Sequence, residues 1–129
     1  MAEPQDRLYS KTHEWVKIDD GVATIGITRY AQEQLGDVVF VELPAAGRSV
    51  AADEVVGTIE SVKAVSDLFA PVAGEVVEAN GELDAQPELI NNDPYAGGWL
   101  IRLKVAADAG AGLMDAAAYE AFVAAEGGH

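Results

Sequence analysis

The sequence contains no cysteine, and this absence excludes a large group of protein chemistries. The chain forms no disulfide, offers no thiolate nucleophile and cannot bind a metal ion through a thiolate. Histidine is nearly absent as well, because His13 and His129 are the only two. Position 17, four residues after His13, is a lysine, so the paired-histidine spacing of a zinc protease is missing. The sequence therefore predicts neither a metal site nor a catalytic triad, and any redox chemistry would need an added cofactor.

Basic residues and long apolar runs are also scarce. Eight Lys and Arg stand against 22 Asp and Glu, which gives a formal net charge of −14. Such a surface repels nucleic-acid phosphates and favours partners with basic docking patches, so we expect no nucleic acid. No apolar run approaches the roughly 20 residues that cross a bilayer, and the first residues resemble neither a signal nor a transit peptide. We therefore expect a cytoplasmic protein that does not associate with membranes.

Short apolar segments bounded by turn residues fill most of the chain, and this pattern predicts strands. Thr28 is a suitable N-cap for a short helix over 29–35, which Gly36 would end. Residues 86–90 predict one further helical turn. Asp115 can cap a terminal helix that runs to about residue 126, with an apolar stripe of Tyr119, Phe122 and Val123. The predicted strands are 8–18, 22–27, 37–43, 55–59, 68–72, 75–79 and 99–105.

About seven short strands with few helices predict a mainly β fold, a two-sheet β-sandwich or barrel-sandwich hybrid. The length of 129 residues suits one domain over 1–129, with a loose N-terminus at 1–7, a β-rich body at 8–105 and a linker and terminal helix at 106–129. Gly57-Thr58-Ile59 is echoed by Gly74-Glu75-Val76, which suggests two similar facing sheets. Trp15 and Trp99 are expected in the core.

One lysine lies in the short polar connection between two predicted strands. Side chains at a hairpin tip are exposed, because loops run over the surface while strands fill the core. The amine of Lys63 could therefore react with an activated acyl group. The simpler interpretation is that Lys63 is an ordinary solvated turn residue. The hairpin alone does not decide between these interpretations.

Several blocks on both sides of Lys63 carry a resemblance that covers roughly residues 9 to 105 in one order. The main blocks are Thr12-His13-Glu14-Trp15-Val16, Gly26-Ile27-Thr28, Leu35-Gly36-Asp37, Val41-Glu42-Leu43-Pro44, the stretch 57–67, and Gly98-Trp99-Leu100-Ile101. With these blocks the chain resembles the H-protein family of the glycine cleavage system. A lone Val-Lys-Ala would be weak evidence, whereas this ordered set is specific.

The resemblance implies a fold of the lipoyl-domain type and a lipoyl carrier that is not itself a catalyst. Lys63 would bear lipoic acid in an amide linkage, attached by a lipoate ligase or a lipoyl/octanoyl transferase. In the family, the glycine decarboxylase (P protein) places the aminomethyl group of glycine on the arm. The aminomethyltransferase (T protein) passes the one-carbon unit to tetrahydrofolate. The dihydrolipoyl dehydrogenase (L protein) then reoxidises the dithiol.

The resemblance also implies roles for other residues. Glu60, three positions before Lys63, matches an acidic position used by lipoylating enzymes. Gly74 matches a glycine of lipoyl domains, where we expect a backbone turn that presents the opposite hairpin. Thr12, Glu14 and Asp67 match the family's cleft for the loaded arm, where carboxylates suit a cationic amine. Each of these three could instead be an ordinary polar residue on the surface.

Two positions depart from the family pattern. Gln34 stands where some members carry histidine near the arm, so no titratable group is expected there. Arg29 replaces a residue that is often acidic, and this change is predicted to alter partner docking.

Four alternatives stay open at this point. A lipoyl domain of a 2-oxo acid dehydrogenase usually carries Asp-Lys-Ala, and a biotin carrier favours methionines where Val62 and Ala64 stand. Some H proteins donate lipoyl groups to other lipoyl proteins, a relay role that these residues do not separate from glycine cleavage. The last alternative is an unmodified β-rich interaction module.

Overall fold

The computed structural model describes residues 5–127, which form nine strands and four helices. The strand predicted over 22–27 and the helix predicted over 29–35 are both present with these bounds. The elements in chain order are β1 Leu8–Tyr9, β2 Glu14–Asp19, β3 Val22–Ile27, α1 Arg29–Leu35, β4 Val38–Glu42, β5 Ser49–Val50, β6 Val55–Ser61, β7 Val65–Phe69, β8 Gly74–Ala79, α2 Glu82–Ala85, α3 Leu89–Asn92, β9 Ile101–Lys104 and α4 Ala116–Gly127.

Two antiparallel sheets make up the body of the molecule, so the predicted mainly β, two-sheet fold is confirmed. The larger sheet has six strands in the order β1-β2-β3-β9-β8-β5, and the smaller has three in the order β4-β6-β7. Alternation places one side of each strand inside, as in β9, where Ile101 and Leu103 are buried while Lys104 is exposed. Side chains from both sheets, among them Ile25 and Ile59, form one apolar core. The sheets are unequal in size, so the expectation of two similar sheets is wrong.

A second, smaller core joins the terminal helix to the first strands. Tyr9 and Trp15 pack there with Ala116 and Tyr119 of α4, and all four are buried. Asp115 caps α4 as predicted, because the N–H of Ala118 donates to its carboxylate at 2.8 Å. The expected stripe is present, since partly buried Phe122 and Val123 pack against this cluster.

Trp15 is in the core as predicted, but Trp99 is only half-buried. Trp99 precedes β9, and the guanidinium of Arg102 lies 4.1 Å from the centre of its ring. The ring therefore packs at the margin of the second core, partly covered by a charged side chain.

The predicted first strand over 8–18 is wrong, because the chain turns between β1 and β2. His13 adopts a φ of +70°, which a continuous strand does not allow. The N–H of Ser10 donates to the carbonyl of Glu14 at 2.9 Å and closes the turn.

Other boundaries differ as well. Strand β7 pairs with β6 from Val65 and ends at Phe69, earlier than predicted. The predicted helical turn at 86–90 lies at Leu89–Asn92, and α2 was not predicted. Within residues 5–127, no helix is long and apolar enough to cross a bilayer.

Candidate functional site

Lys63 lies at the exposed tip of the hairpin between β6 and β7, and the backbone around it is held in place. The N–H of Ser61 donates to the carbonyl of Ala64 at 2.8 Å. The Ser61 hydroxyl accepts from the N–H groups of Lys63 at 3.3 Å and Ala64 at 3.1 Å. The N–H of Val62 donates to the carbonyl of Asp37 at 3.0 Å, which ties the tip to the start of β4. The turn is thus fixed while the lysine side chain remains exposed.

The end of helix α1 lies beside the stem of Lys63. Gly36 ends this helix with a φ of +79°, a conformation that glycine adopts without strain. A Cβ atom at position 36 would lie 3.3 Å from Cε of Lys63 and 3.8 Å from Nζ. The absence of a side chain at Gly36 therefore leaves room for the lysine to cross the end of α1.

A cavity of about 320 Å³ opens between α1 and the lysine hairpin. The turn between β1 and β2 closes it, and all three residues predicted for the cleft are among its lining residues. The lining consists of Thr12, His13, Glu14, Ile27, Tyr30, Ala31, Gln34, Leu35, Ile59, Ala64, Ser66 and Asp67. The structure thus brings these residues together around one cavity that both apolar and polar side chains line.

Glu14 is the most unusual of these residues, because its side chain is only 2% exposed. Its carboxylate accepts hydrogen bonds from the Thr12 hydroxyl, from the Ser10 hydroxyl at 2.7 Å and from the N–H of Phe69 at 3.4 Å. Burial raises the pKa of Glu14 to about 7, although the bonds from Thr12, Ser10 and Phe69 favour the ionised form. This carboxyl group therefore changes between its protonated and ionised forms near neutral pH.

Sequence reasoning missed the residues that support this cavity from behind. Nδ1 of His13 lies 2.8 Å from the hydroxyl oxygen of Tyr119, which lies 2.7 Å from Oγ1 of Thr28. Thr28 caps α1 by accepting from the N–H of Ala31 at 3.2 Å. The ring of His13 packs against the ring of Tyr30, and the two ring centres are 4.8 Å apart. One phenol of the terminal helix therefore contacts both the turn between β1 and β2 and the N-cap of α1.

No sequence signal could have indicated these partners. Ser10 reaches Glu14 only because the chain turns between β1 and β2, and this turn was not predicted. Tyr119 lies 106 positions from His13, so their contact depends wholly on the docking of α4.

Two further predicted site residues lie outside the cavity. Glu60 is exposed on β6, opposite Phe40 of β4 and Val65 of β7. Gly74 lies in the other sheet, where it starts β8 and pairs with Val50.

The expectation that Gly74 forms a turn is wrong. A Cβ atom at this position would lie 2.5 Å from the carbonyl oxygen of Lys104 and 3.2 Å from Cβ of Leu103. Real Cβ atoms do not approach a carbonyl oxygen this closely, so only glycine lets β8 and β9 come together here.

The two departures from the family pattern occupy different places. Arg29 bridges α1 to α3, because its guanidinium donates to the carbonyl of Asn91 and the side chain of Gln32, both at 2.9 Å. Much of its hydrogen bonding is thus internal. Gln34 is exposed and lines the cavity, where it offers an amide that does not titrate.

A second cavity, of about 560 Å³, is larger but does not reach the lysine hairpin. It lies between the turn around Lys11, the loop at 71–73 and the segment 106–114. Across residues 5–127, His, Asp and Glu form no group able to hold a metal ion. The smaller cavity beside Lys63 is therefore the candidate site.

Comparison with known proteins gives one consistent result. A family model described as glycine cleavage H-protein matches residues 7–126. The glycine cleavage system H protein of Beutenbergia cavernae is 56% identical over 126 residues, which cover 98% of this chain and 100% of that protein. The glycine cleavage system H protein of Rubrobacter xylanophilus is 61% identical over 106 residues, which cover 81% of this chain and 84% of that protein. A crystal structure of a glycine cleavage system H protein from Mycobacterium marinum superposes with a TM-score of 0.87 at 41% identity, covering 98% of this chain and 100% of that one.

Proposed function

The chain belongs to the glycine cleavage H-protein family, and from this premise we propose that it is the lipoyl carrier of glycine cleavage. It carries the aminomethyl group of glycine between enzymes and is itself a non-catalytic subunit. The observation that supports this proposal most directly is the placement of Lys63. Its amine is exposed on a fixed turn, beside a cavity lined by Thr12, Glu14 and Asp67.

The residues around Lys63 suit covalently bound lipoic acid. When bound, this group supplies a pair of reactive sulfur atoms on a flexible arm. An amide bond to Lys63 removes one positive charge, which takes the formal net charge from −14 to −15 and lets the stem lie on apolar surface. The aliphatic side of the cavity, with Ala31, Leu35 and Ile59, matches a hydrocarbon chain. The chain has no cysteine, so no protein thiol competes for a disulfide.

The polar residues that line the cavity suit a cationic amine. Glu14 and Asp67 offer carboxylates, and Thr12 offers a hydroxyl. Glu14 is buried, and away from bulk water a carboxylate attracts an ammonium ion more strongly than it would in solution. A cation beside Glu14 favours its ionised form, so we expect the carboxyl group to lose its proton when the amine is bound. We infer that these three residues hold the amine.

The partners of this carrier follow from the system to which the family belongs. They are the glycine decarboxylase, the aminomethyltransferase, the dihydrolipoyl dehydrogenase, and a lipoate ligase or lipoyl/octanoyl transferase. We assign Glu60 to recognition by the lipoylating enzyme, since it is exposed beside the tip, and Gly74 to presentation of the hairpin through the packing of β8 on β9. The single carrier domain and the cytoplasmic location stay predictions of the sequence.

The family assignment argues against a dehydrogenase lipoyl domain and a biotin carrier. The relay role and the unmodified interaction module are outcomes that experiment separates from glycine cleavage.

Mass analysis of protein produced with lipoate and a competent ligase tests the proposal. We expect a lipoyl increment on the peptide that contains Lys63, absent from Lys63→Arg and retained in Lys11→Arg, which changes another exposed lysine. The modified protein should then restore exchange of glycine carboxyl carbon with bicarbonate by the decarboxylase. An unmodified Lys63 would support the interaction module instead. Transfer of lipoate to other acceptors without exchange would support the relay.

A further inference from the structure

The start of strand β4, next to the lysine hairpin, departs from a regular ladder. Val38 pairs with Ser61 and Phe40 pairs with Glu60, so β4 has one more residue than β6 between these pairs. The extra residue is Val39, and the interruption has the form of a β-bulge. Backbone groups around a bulge need partners from outside the ladder. The groups that satisfy them therefore fix the path of the chain beside the hairpin tip.

The side-chain amide of Asn91, in helix α3, supplies two of these partners. Its Nδ2 donates to the carbonyl oxygen of Gly36 at 2.8 Å, and its Oδ1 accepts from the N–H of Val38 at 2.9 Å. The two bonded groups flank Asp37, so one planar side chain holds the backbone on both sides of that residue. This arrangement needs a donor and an acceptor on one short group, and the amide of asparagine provides both.

Asn91 is itself fixed by two neighbouring elements. Its backbone carbonyl accepts from the guanidinium of Arg29 in α1 at 2.9 Å. Its N–H donates to the carbonyl of Glu88, the residue before α3, at 3.0 Å. The amide therefore extends from a backbone that α1 and α3 both hold, and its two bonds restrain the segment 36–38.

The same segment contacts the tip that carries Lys63. The carbonyl of Asp37, between the two groups held by Asn91, accepts from the N–H of Val62 at 3.0 Å. The stem of Lys63 crosses Gly36, where a Cβ atom would lie 3.3 Å from its Cε. Displacing this segment would thus change both the support of the turn and the surface beneath the lysine stem.

We propose that Asn91 is a positioning residue for the modification of Lys63. By holding the carbonyl of Asp37 in place, it sets where the hairpin tip presents the lysine amine to the enzyme that acylates it. The proposal rests on the function proposed above. Asn91 acts through the segment 36–38, since it is not among the residues that line the cavity. A purely structural role in α3 would leave the tip and its acylation unchanged.

Amide hydrogen exchange in the unmodified protein tests the first step. Asn91→Asp keeps the shape of the side chain, yet it loses the Nδ2 donor and places a carboxylate against the carbonyl of Gly36. The N–H of Val62 should then exchange about tenfold faster, because the acceptor of its hydrogen bond is no longer held. The N–H of Ser61 should keep its wild-type rate, since its partner Ala64 lies within the same hairpin.

Two variants with the same substitution are the controls. Asn92→Asp adds the same charge at the exposed neighbouring residue. Asn80→Asp changes another amide that donates to backbone carbonyls, those of Gly97 at 3.0 Å and Trp99 at 2.8 Å. Asn80 is buried and follows β8 of the other sheet, so this variant lowers the free energy of unfolding without reaching the tip. Both controls should keep the wild-type exchange rate at Val62.

The rate of lipoylation tests the second step. We expect the kcat/KM of a lipoate ligase for the unmodified carrier to fall about tenfold in Asn91→Asp, because small displacements of a reacting group are costly. Both controls should keep the wild-type value. Asn91→Ser is uncharged and offers one hydroxyl in place of the amide's donor and acceptor, so it should give the same result as Asn91→Asp.

A wild-type exchange rate at Val62 in both Asn91 variants would overturn the proposal, and so would a wild-type kcat/KM. Equal changes in Asn80→Asp would overturn it as well, since loss of stability alone would then explain them. A wild-type protein that the ligase does not modify would refute the proposed function, whereas exchange at Val62 would still show whether Asn91 holds the tip.

Discussion

At the scale of single residues, Glu14 shows how burial changes the chemistry of a common side chain. The same carboxylate on the surface would be ionised at pH 7 and hydrated. Here it is enclosed by β7 and by the turn that carries Ser10 and Thr12. Loss of water raises its pKa to about 7, and three donors keep its orientation fixed. A group of this kind can accept a cation without large rearrangement.

Replacing Glu14 with Gln should flatten the pH dependence of stability. The pKa of Glu14 is about 7 in the folded protein against 4.5 ordinarily, so the stability linked to its protonated form is complete below pH 4.5 and is lost as pH rises through 7. Between pH 5 and 8 this loss amounts to about 2–3 kcal/mol in the wild type, and the variant should not show it.

Urea unfolding at both pH values measures this difference. Glu60→Gln is the control, because it makes the same change at an exposed carboxylate of the lysine hairpin. Its free energy of unfolding should depend on pH as that of the wild type does. If the free energy of unfolding depended on pH equally in Glu14→Gln and the wild type, burial would not be what sets the pKa of this carboxyl group.

At the scale of elements, the cavity depends on three parts that are distant in sequence. The lysine hairpin and α1 form its two sides, and Tyr119 of the terminal helix α4 contacts His13 in the turn that closes it and Thr28 at the start of α1. Tyr119 is fully buried, yet its hydroxyl oxygen lies within hydrogen-bond distance of His13 and Thr28. The helix therefore positions the cavity wall in addition to covering apolar surface.

Replacing Tyr119 with Phe should loosen the cavity without unfolding the protein. The ring packing stays, while the contacts of the hydroxyl with His13 and Thr28 are lost, which should lower the free energy of unfolding by about 1–2 kcal/mol. We expect the loaded carrier to release ammonia severalfold faster, with lipoylation of Lys63 unchanged.

Val123→Ala serves as the control for this effect, because it removes packing from the same helix and leaves the hydroxyl in place. It should reduce stability to a similar degree and leave the release rate unchanged. Equal release rates in Tyr119→Phe and the wild type would mean that α4 acts only in packing.

At the scale of the whole molecule, the dominant property is the charge of −14 spread over 129 residues. Long-range attraction brings basic partners to such a surface faster than diffusion alone, and dissolved salt weakens this attraction. Acidic side chains also lie on the strands next to Lys63, among them Glu42, Glu60 and Asp67, so this attraction acts at the lysine hairpin too.

Salt should therefore weaken the action of partner enzymes on the lipoylated carrier. We expect the KM of dihydrolipoyl dehydrogenase for the carrier to rise about tenfold between 50 and 500 mM NaCl, with little change in kcat, because salt acts on encounter rather than on chemistry. NAD reduction at varied carrier concentration measures both constants. Free dihydrolipoamide, which lacks the protein, is the control substrate. A salt effect of the same size with the free compound would place it in the enzyme rather than in docking.

Much of the fold was accessible from the sequence because its signals are local. Thr28 and Gly36 define both ends of α1, and their chemistry acts on neighbouring backbone groups. Alternation along β9 marks the buried side of that strand, and the presence of about seven short strands with few helices predicts a two-sheet fold. The prediction failed between β1 and β2, where a positive φ at His13 interrupts the segment 8–18 that was predicted as one strand.

The sequence by itself determined the fold class, the acidic surface and the position of Lys63, because each depends on residue type and near neighbours. Only the tertiary structure decided what surrounds that lysine. The cavity joins Thr12, Ala31 and Asp67, and its support comes from Tyr119. No local rule relates positions so far apart, since their distances are set by how both sheets and α4 pack. The raised pKa of Glu14 likewise arises from burial, which exists only once the chain has folded.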